Sequence, residues 1–212
     1  MDILTQISDT LIGGDDENVA RLTQQAIDQG IPARDILDRG LIGGMDTVGE
    51  RFKVHEIFLP EVLLSARAMH AGMDQLKPLL IQEGVSSRGR VIIGSVQGDL
   101  HDIGKNLVGI MLKGAGFELI DLGNDVAPES FVETAIKENA LVIGMSALLT
   151  TTMPMMGSVV NLVREQGLGD RVKTIVGGAP VSEEYARQIG ADAYGFDAAN
   201  AVDRVKGLIG VN

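Results

Sequence analysis

Residues 91–114 read VIIGSVQGDLHDIGKNLVGIMLKG, and this stretch decides the fold. Its first six residues, 91–96, are rich in β-branched side chains and predict a buried strand. Residues 103–114 carry apolar side chains at helical spacing and predict a helix. Glycine, aspartate and histidine lie in the loop between them. The stretch therefore predicts one strand–loop–helix unit whose polar loop follows the carboxyl end of the strand.

The same alternation continues to the end of the chain. β-rich runs and helical stretches follow one another, the runs at 117–121, 141–145, 174–176 and 193–195 and the helices near 129–139, 154–166, 182–188 and 199–209. Five strand–helix units in succession predict a parallel sheet with helices on both faces and right-handed crossovers. We expect an α/β Rossmann-like (flavodoxin-like) doubly wound sheet of five strands in the order 2-1-3-4-5.

The first part of the chain has a different texture, with apolar residues at helical spacing throughout. We predict an all-α bundle of four helices, at about 2–12, 15–29, 33–51 and 59–82. Pro78 is expected to kink the last helix or to end it early. The predicted organisation is a helical domain at 1–83, a hinge linker at 84–89 and an α/β domain at 90–212.

Composition excludes several function classes. The 212 residues have a net charge of -11 and include no Cys, no Trp and three His, with 3% aromatic residues. The acidic balance and scarce aromatics argue against nucleic-acid binding, and the absence of cysteine excludes thiolate catalysis and Cys-ligated metals. Neither a signal peptide nor an apolar run of membrane-spanning length is apparent, so we expect no membrane association and a cytoplasmic location.

Topology selects the loops where a ligand should bind. In an open doubly wound sheet, ligands bind beyond the carboxyl ends of the strands at the point where the strand order reverses. Here that point lies between the first and third strands. It brings together the loops 97–106 and 146–152, and the loop that begins at Gly177 and Gly178 leaves the same edge. A histidine, two aspartates and a row of hydroxyl groups should therefore share one crevice.

Three chemical interpretations of the first loop compete. As a phosphate-binding loop it fails, because five residues separate Gly98 from Gly104 where four are required, and Asn106 replaces the Ser or Thr that binds magnesium. As a dinucleotide fingerprint its glycines are misplaced. The third interpretation makes His101 a metal ligand oriented by the Asp99 carboxylate. On spacing alone, Asp99 and His101 could equally be a pair that caps the loop.

Residues 98–108, GDLHDIGKNLV, resemble the D-x-H-x-x-G signature of cobalamin-binding domains. Residues 146–148 resemble the S-x-L motif of that family, and Gly177-Gly178 resemble its G-G motif. In the helical half, residues 48–52, 58–61 and 65–67 resemble the four-helix cap of methylcobalamin domains. The resemblance covers nearly the whole chain. It is to the corrinoid proteins of methanol, methylamine, glycine betaine or aryl methyl ether methyltransferase systems, and to the cobalamin-binding region of methionine synthase.

The resemblance implies roles for individual residues. His101 would be the lower cobalt ligand, with Asp99 accepting a hydrogen bond from its other ring nitrogen and Thr152 as the third member of the relay. Phe52 and Leu59 match cap residues that cover the upper face of the corrinoid, although both would otherwise be ordinary core of a helix bundle. The remaining residues implied to contact the corrinoid are Gly98, Asp102, Ile103, Gly104, Ser146, Leu148, Thr150, Gly177 and Gly178.

The implied function is that of a methyl shuttle that turns over nothing alone. The bound cobalamin or related corrinoid would accept a methyl group, as cobalt(I), from a donor held by a donor-specific methyltransferase. An acceptor methyltransferase would pass it to tetrahydrofolate or a thiol, which leaves cobalt(I) again. A reductive activation protein is a further implied partner. The same motifs would also serve a non-catalytic corrinoid-binding sensor or regulatory module. A mutase-type adenosylcobalamin subunit is disfavoured because the helical half resembles the methyl-cap type.

Overall fold

The structure is a computed structural model and describes residues 2–83 and 87–210. The chain divides into two compact units, Met1–Ser87 with Gly114–Gly116 and Arg88–Lys113 with Phe117–Asn212. Residues 84–86 of the predicted hinge lie outside the described residues, so the hinge stays a prediction. No helix within the described residues combines the length and hydrophobicity that crossing a bilayer requires.

The first unit is helical, as predicted. Its elements are α1 (Ile3–Ile12), α2 (Asp16–Asp28), α3 (Ala33–Asp35), a π-helical stretch (Ile36–Ile42), α4 (Gly43–Lys53) and α5 (Leu59–Gln82). Asp15 caps α2, its carboxylate accepting the backbone N–H of Asn18 over 3.1 Å. Pro60 lies in the first turn of α5, where its missing N–H is not needed.

The core of this unit forms where the apolar stripes of its helices meet. Ile7, Leu11, Val19, Leu41 and Leu76 are fully buried. Burial of one such side chain contributes roughly 1.5–3 kcal/mol, so these stripes are the main source of stability. Their spacing of three or four residues along each helix is the pattern that predicted the bundle.

Two features of the first unit differ from the prediction. The third predicted helix contains the π-helical stretch Ile36–Ile42, which the apolar spacing did not reveal. Pro78 was expected to kink the last helix or to end it early. It lies inside α5, which continues to Gln82 as the predicted bounds had it, so the alternative of an early end is wrong.

The second unit alternates strands and helices. Its elements are β1 (Arg90–Ser95), α6 (Ile103–Gly114), β2 (Glu118–Asp121), α7 (Pro128–Lys137), β3 (Val142–Ser146), α8 (Pro154–Glu165), β4 (Lys173–Gly177), α9 (Glu183–Ile189), β5 (Ala193–Gly195) and α10 (Ala198–Ile209). The five strands form one parallel sheet in the order β2-β1-β3-β4-β5, which confirms the predicted fold class.

The central strands carry the core of the sheet. Ile92 of β1 pairs with Ile120 of β2 on one side and with Ile143 of β3 on the other. Ile92 and Ile143 are fully buried, as is Phe131 of α7, which belongs to the same apolar cluster. Near-continuous apolar strands of this kind are typical of parallel sheets covered on both faces. The sheet thus gives a rigid edge from which the loops project.

Candidate functional site

The site lies where β1 and β3 end side by side. Ser95 and Ser146, the last residues of the two strands, are paired in register. The next residue, Val96, donates its backbone N–H to the Ser146 carbonyl over 3.0 Å. Because β2 lies on the other side of β1, the chain leaves β1 and β3 in opposite directions at this point. The loops β1–α6 and β3–α8 therefore border one crevice.

Asp99 is the buried centre of this crevice. Its side chain is fully inaccessible, and within the described residues it accepts five hydrogen bonds. Oδ1 accepts the backbone N–H and the ring Nδ1 of His101, over 3.1 and 2.8 Å. Oδ2 accepts the backbone N–H groups of Leu148 and Leu149, over 2.8 and 3.1 Å, and the Thr152 hydroxyl over 2.7 Å. One carboxylate therefore joins the two loops.

These donors keep Asp99 ionised. Burial alone raises the pKa of Asp99, since it disfavours the charged form. Hydrogen bonds from the Thr152 hydroxyl, the His101 ring and the backbone outweigh burial and hold the pKa well below its usual range. An ionised carboxylate can only accept, so the Nδ1 that it faces must carry the proton.

His101 is oriented for ligation by this contact. With the proton on Nδ1, the lone pair of the neutral imidazole lies on Nε2. The side chain is 52% exposed, and no described residue forms a hydrogen bond with Nε2. The His101 carbonyl is also fixed, since it accepts the Ser95 hydroxyl over 2.6 Å. Ring and backbone are both anchored, and one basic nitrogen remains available at the surface of the crevice.

Thr152 lies where the sequence placed the third member of the relay. It is 7% exposed, and its hydroxyl lies between Asp99 Oδ2 and the Leu149 carbonyl, 2.7 and 2.9 Å away. A hydroxyl has one proton, so the two acceptors compete for it. The shorter contact, to the charged oxygen, is the stronger one. Thr152 thus completes a continuous chain of hydrogen bonds to His101.

The other predicted residues at the end of β3 and in the β3–α8 loop differ in their exposure to solvent. Ser146 is half-buried, whereas Leu148 and Thr150 are exposed, the former to 43%. Leu148 contributes its backbone N–H to Asp99 while its side chain remains accessible. The accessible Leu148 side chain therefore adds apolar surface to the crevice beside Asp99.

Two glycine positions have a steric reason within the fold itself. A Cβ on Gly178, whose φ is +135°, would overlap the Ala147 carbonyl oxygen, and a Cβ on Gly177 would lie 2.9 Å from the Gly195 carbonyl oxygen. Backbone from the adjacent loop or strand therefore already occupies the space. The Gly177-Gly178 motif is explained by packing between loops, whatever else it contacts.

Gly98 and Gly104 differ from that pair. Gly98 has φ +84°, a left-handed conformation that favours glycine, and a Cβ there would lie 3.2 Å from Thr152 Cγ2. Gly104 lies in the first turn of α6, and a Cβ there would meet no atom within 4 Å. The protein itself therefore gives no steric reason for Gly104.

The rim of the histidine loop is apolar. Leu100 and Ile103, which flank His101 and Asp102, are 72% and 79% exposed. Asp102 is half-buried, directly precedes α6, and accepts the Asn106 N–H on its carbonyl over 2.7 Å. Exposed aliphatic side chains around one free imidazole nitrogen would suit a large organic ligand that carries a metal.

Phe52 and Leu59 belong to the first unit. Phe52 lies near the end of α4 and Leu59 is the first residue of α5. Both are half-buried, so neither lies in the fully buried core that ordinary bundle packing would suggest. Phe58, between them, is 63% exposed. Their contact with a ligand stays a prediction.

The sequence did not identify several polar residues at this edge. Lys105 is buried and pairs through Nζ with Asp121 at the end of β2, while Asn124 and Asp125 in the β2–α7 loop bind the histidine loop. The predicted site comprised the loops after β1, β3 and β4 and left out the loop after β2. The adjacency of β2 to β1, together with the turn-forming run Gly123-Asn124-Asp125, is the signal that could have found them.

The donor set fits a corrinoid better than a bare ion. Among residues 2–83 and 87–210, no three His, Asp or Glu side chains are grouped so as to hold a metal ion. A single imidazole with its lone pair outward suits a metal that arrives with a ring of other donors. The apolar rim fits a large organic ring, and the open space at Gly104 leaves room for the rest of the ligand.

Comparison with known proteins gives a consistent result over the whole chain. Residues 89–205 and residues 3–77 each match a family described as B12 binding domain. "Corrinoid protein DSY3155" of Desulfitobacterium hafniense (strain Y51) is 40% identical over 213 residues, 99% of each chain. The dimethylamine corrinoid protein of Methanosarcina barkeri is 42% identical over 209 residues, 98% of each chain.

A solved structure agrees with these relatives. The methanol:cobalamin methyltransferase complex MtaBC from Methanosarcina barkeri contains a chain that is 31% identical, with a TM-score of 0.87. The match covers 99% of this chain and 80% of that one. Both the helical and the α/β half are therefore shared with that structure.

Proposed function

This chain belongs to the corrinoid proteins with B12 binding domains, and from this premise we propose that it carries methyl groups between two methyltransferases. The observation that carries the proposal is the bond from His101 Nδ1 to the buried Asp99 carboxylate, which leaves Nε2 outward. When bound, the corrinoid supplies a cobalt centre that accepts and releases a methyl group. His101 would hold that centre through Nε2.

The Asp99–His101–Thr152 chain would tune this ligand. The Asp99 carboxylate makes the imidazole more basic and fixes its tautomer, which strengthens coordination. The support of the imidazole would have to stay in place whether or not Nε2 holds the corrinoid. Five donors hold Asp99 in place while Nε2 remains free, so the support does not depend on the ligand.

The remaining predicted residues would bind the rest of the corrinoid. Ser146, Leu148 and Thr150 lie at the carboxyl end of β3 and would line a cleft for the nucleotide tail. Gly98, Asp102 and Ile103 would contact the corrinoid. Gly104 would allow close approach of the nucleotide tail, because nothing fills the position of its missing Cβ. Gly177 and Gly178, at the end of the neighbouring strand β4, would form another border of this cleft.

We propose that the helical domain, 1–83, covers the upper face of the corrinoid through Phe52 and Leu59. Two transfers need access by two partners, so this domain must move, and the linker at 84–89 is the proposed hinge. The net charge of -11 would attract basic partner surfaces.

The partners are proposed from the relatives. A donor-specific methyltransferase would hold a small methylated compound, of the methylamine or methanol class that those relatives' names describe. An acceptor methyltransferase and a reductive activation protein would complete the system. No nucleic-acid or membrane partner is proposed, and the cytoplasmic location stays a prediction.

The first test is ligation. The purified chain is mixed with hydroxocobalamin, and its visible spectrum is expected to show the imidazole-coordinated form. The His101→Ala variant should bind without that signature. His70→Ala is the matched control, because His70 is exposed on α5 and outside every motif. A His101→Ala spectrum identical to that of the unmodified chain would overturn the ligand assignment.

The second test separates a carrier from a sensor. The chain is loaded with methylcobalamin and mixed with an acceptor methyltransferase from a methylamine system together with its thiol substrate. A carrier is expected to lose its methyl group to the thiol, with repeated turnover once a methyl donor and its donor-specific methyltransferase are also supplied. Stable retention of the methyl group under these conditions would favour a sensor.

A further inference from the structure

The β2–α7 loop makes three contacts with the histidine loop that the proposed function does not use. Asp125 Oδ1 accepts the Gly98 N–H over 2.7 Å, and the Asp125 N–H donates to the Asp99 carbonyl over 3.0 Å. Asn124 Nδ2 donates to the Leu100 carbonyl over 3.2 Å. Two consecutive residues thus bind the three residues that precede His101.

The backbone of Asp125 is unusual. Its φ is +54°, in the left-handed region that few residues other than Gly, Asn and Asp adopt. Asp125 is exposed, so burial does not hold its carboxylate in place. Asp125 adopts this left-handed conformation while its side chain and its backbone N–H both form hydrogen bonds with the histidine loop. Strained residues of this kind concentrate at functional sites.

We propose that Asp125 is a positioning residue for His101. Its carboxylate oxygen fixes the Gly98 amide, and its backbone N–H fixes the adjacent Asp99 carbonyl. Asp99 Oδ1 in turn holds both the backbone N–H and the ring of His101. A shift of the Gly98–Asp99 backbone would therefore move the acceptor that orients the ring. This inference rests on the proposed function for its consequence, which is coordination by Nε2.

Three substitutions separate the acceptor from the backbone conformation. Asp125→Asn retains an acceptor oxygen and tolerates the left-handed region. Asp125→Gly removes the acceptor but adopts that region freely, and Asp125→Ala removes the acceptor and strains the backbone. The backbone bond from residue 125 to Asp99 is available in all three. If protection of the Gly98 amide and coordination by His101 are lost in Asp125→Gly and Asp125→Ala but kept in Asp125→Asn, the acceptor oxygen is responsible.

The first readout uses the cofactor-free protein. Amide hydrogen exchange at Gly98 is expected to be roughly tenfold faster in Asp125→Gly and Asp125→Ala, the change expected for losing one charge-assisted hydrogen bond. Asp125→Asn should remain within about threefold of the unmodified chain. Unchanged exchange at Gly98 in Asp125→Gly would overturn the inference.

The second readout is spectroscopic. With hydroxocobalamin bound, the fraction in the imidazole-coordinated form is expected to fall in Asp125→Gly and Asp125→Ala and to be retained in Asp125→Asn. A normal spectrum in Asp125→Gly would overturn the inference, as would an Asn variant as impaired as the Gly variant. If the unmodified chain binds no hydroxocobalamin, the proposed function fails instead, and Gly98 exchange still tests the contact on which the inference rests.

Discussion

Thr152 Oγ1 donates to Asp99 Oδ2 over 2.7 Å across two different loops, and both side chains are buried. This bond links the loop after β3 to the residue that holds the His101 ring. It is therefore a structural bond as well as the last link of the proposed relay. Removing it should affect both the stability of the cofactor-free chain and the ligand chemistry.

The Thr152→Val substitution tests this bond. Valine has nearly the shape of threonine but lacks the hydroxyl, so Asp99 keeps four of its five donors. We expect a loss of about 1–3 kcal/mol in the free energy of unfolding, because a buried charged acceptor loses a partner. Urea unfolding of the cofactor-free protein gives the measurement.

The Thr152→Ser variant is the control, since serine retains the donor and loses only the methyl group. It should be more stable than Thr152→Val and should preserve the spectrum of the bound corrinoid. A Thr152→Val chain as stable as the unmodified chain, together with a less stable Thr152→Ser chain, would show that the methyl packing rather than the hydroxyl accounts for the threonine.

Replacing Asp99 by Asn should be more damaging. Donors face both oxygens of the carboxylate, whereas an asparagine side chain has one acceptor oxygen and one NH₂ group. In either orientation its NH₂ group faces N–H or O–H donors. We expect a loss of about 3 kcal/mol or more in the free energy of unfolding, since several charge-assisted bonds are replaced by unsatisfied donors.

The matched control is Asp102→Asn, which makes the same chemical change three residues away at a half-buried position. It should alter stability by less than about 1 kcal/mol, the usual range for a site outside a buried network. Similar losses in the two variants would contradict the role assigned to the buried carboxylate.

The sequence predicted the fold and the centre of the site for identifiable reasons. Strand and helix positions followed from periodicity, and parallel order then brought Asp99, His101 and Thr152 to one edge. The strands, the helices and the shared edge are encoded by short-range patterns together with one topological rule. The pairing of Thr152 with Asp99 was implied by the resemblance to cobalamin-binding domains and not by spacing.

Other features depend on contacts between distant residues. The π-helical stretch Ile36–Ile42 has the apolar spacing of an ordinary helix, so nothing local distinguishes it. The pairing of Lys105 with Asp121 requires the positions of α6 and β2 to be known. The clash that excludes a Cβ at Gly178 comes from the Ala147 carbonyl, which only the folded loop supplies. Such features cannot be derived from spacing.

Substitution of two glycines, Gly104 and Gly178, distinguishes a ligand-binding role from a structural one. Gly104→Ala meets no atom within 4 Å and lies in a helix, so the cofactor-free chain should be as stable as before or more stable by up to about 1 kcal/mol. Its affinity for hydroxocobalamin should nevertheless fall, because the added methyl group would obstruct the proposed close approach of the nucleotide tail. Urea unfolding and spectroscopic titration measure the two effects.

Gly178→Ala is the contrasting variant. Its Cβ would overlap the Ala147 carbonyl oxygen, and φ is +135°, so the cofactor-free chain itself should lose stability, by about 2 kcal/mol or more. Undiminished corrinoid affinity in the Gly104→Ala chain would contradict the proposed approach of the nucleotide tail to Gly104.

In the Lys105–Asp121 ion pair, removal of the two partners should lower the free energy of unfolding by unequal amounts. The Lys105 side chain is 3% exposed and that of Asp121 is 39% exposed. Asp121→Ala leaves a buried ammonium group whose remaining hydrogen-bond partner among the described residues is Asn106 Oδ1, and it should cost about 2–4 kcal/mol in the free energy of unfolding. Lys105→Met leaves a carboxylate that water can reach, and its loss should be smaller, about 1 kcal/mol.

Lys137→Met serves as the control for removal of a lysine charge, because Lys137 is 80% exposed in its pair with Glu138. Its stability should stay within about 0.5 kcal/mol of the unmodified chain. Urea unfolding of the three variants decides the order, and a larger loss for Lys105→Met than for Asp121→Ala would contradict the explanation by burial.

Tyr185 predicts a pH dependence at the alkaline end. Burial raises the pKa of Tyr185, whose hydroxyl donates to the Met153 carbonyl over 2.7 Å. The unfolded chain ionises this tyrosine first, near the usual value of about 10. The stabilising contribution is therefore complete below that pH and is lost as the pH rises through the raised pKa of the folded state.

The measurement is an ultraviolet titration of phenolate absorbance, which is simple because the chain has two Tyr and no Trp. Tyr185→Phe should remove the absorbance change that occurs above the ordinary tyrosine range, and Tyr194→Phe should retain it. In urea, the stability advantage of the unmodified chain over Tyr185→Phe should be constant at neutral pH and shrink above about pH 10. An advantage that persists or grows there would show that the Met153 contact does not favour the protonated phenol.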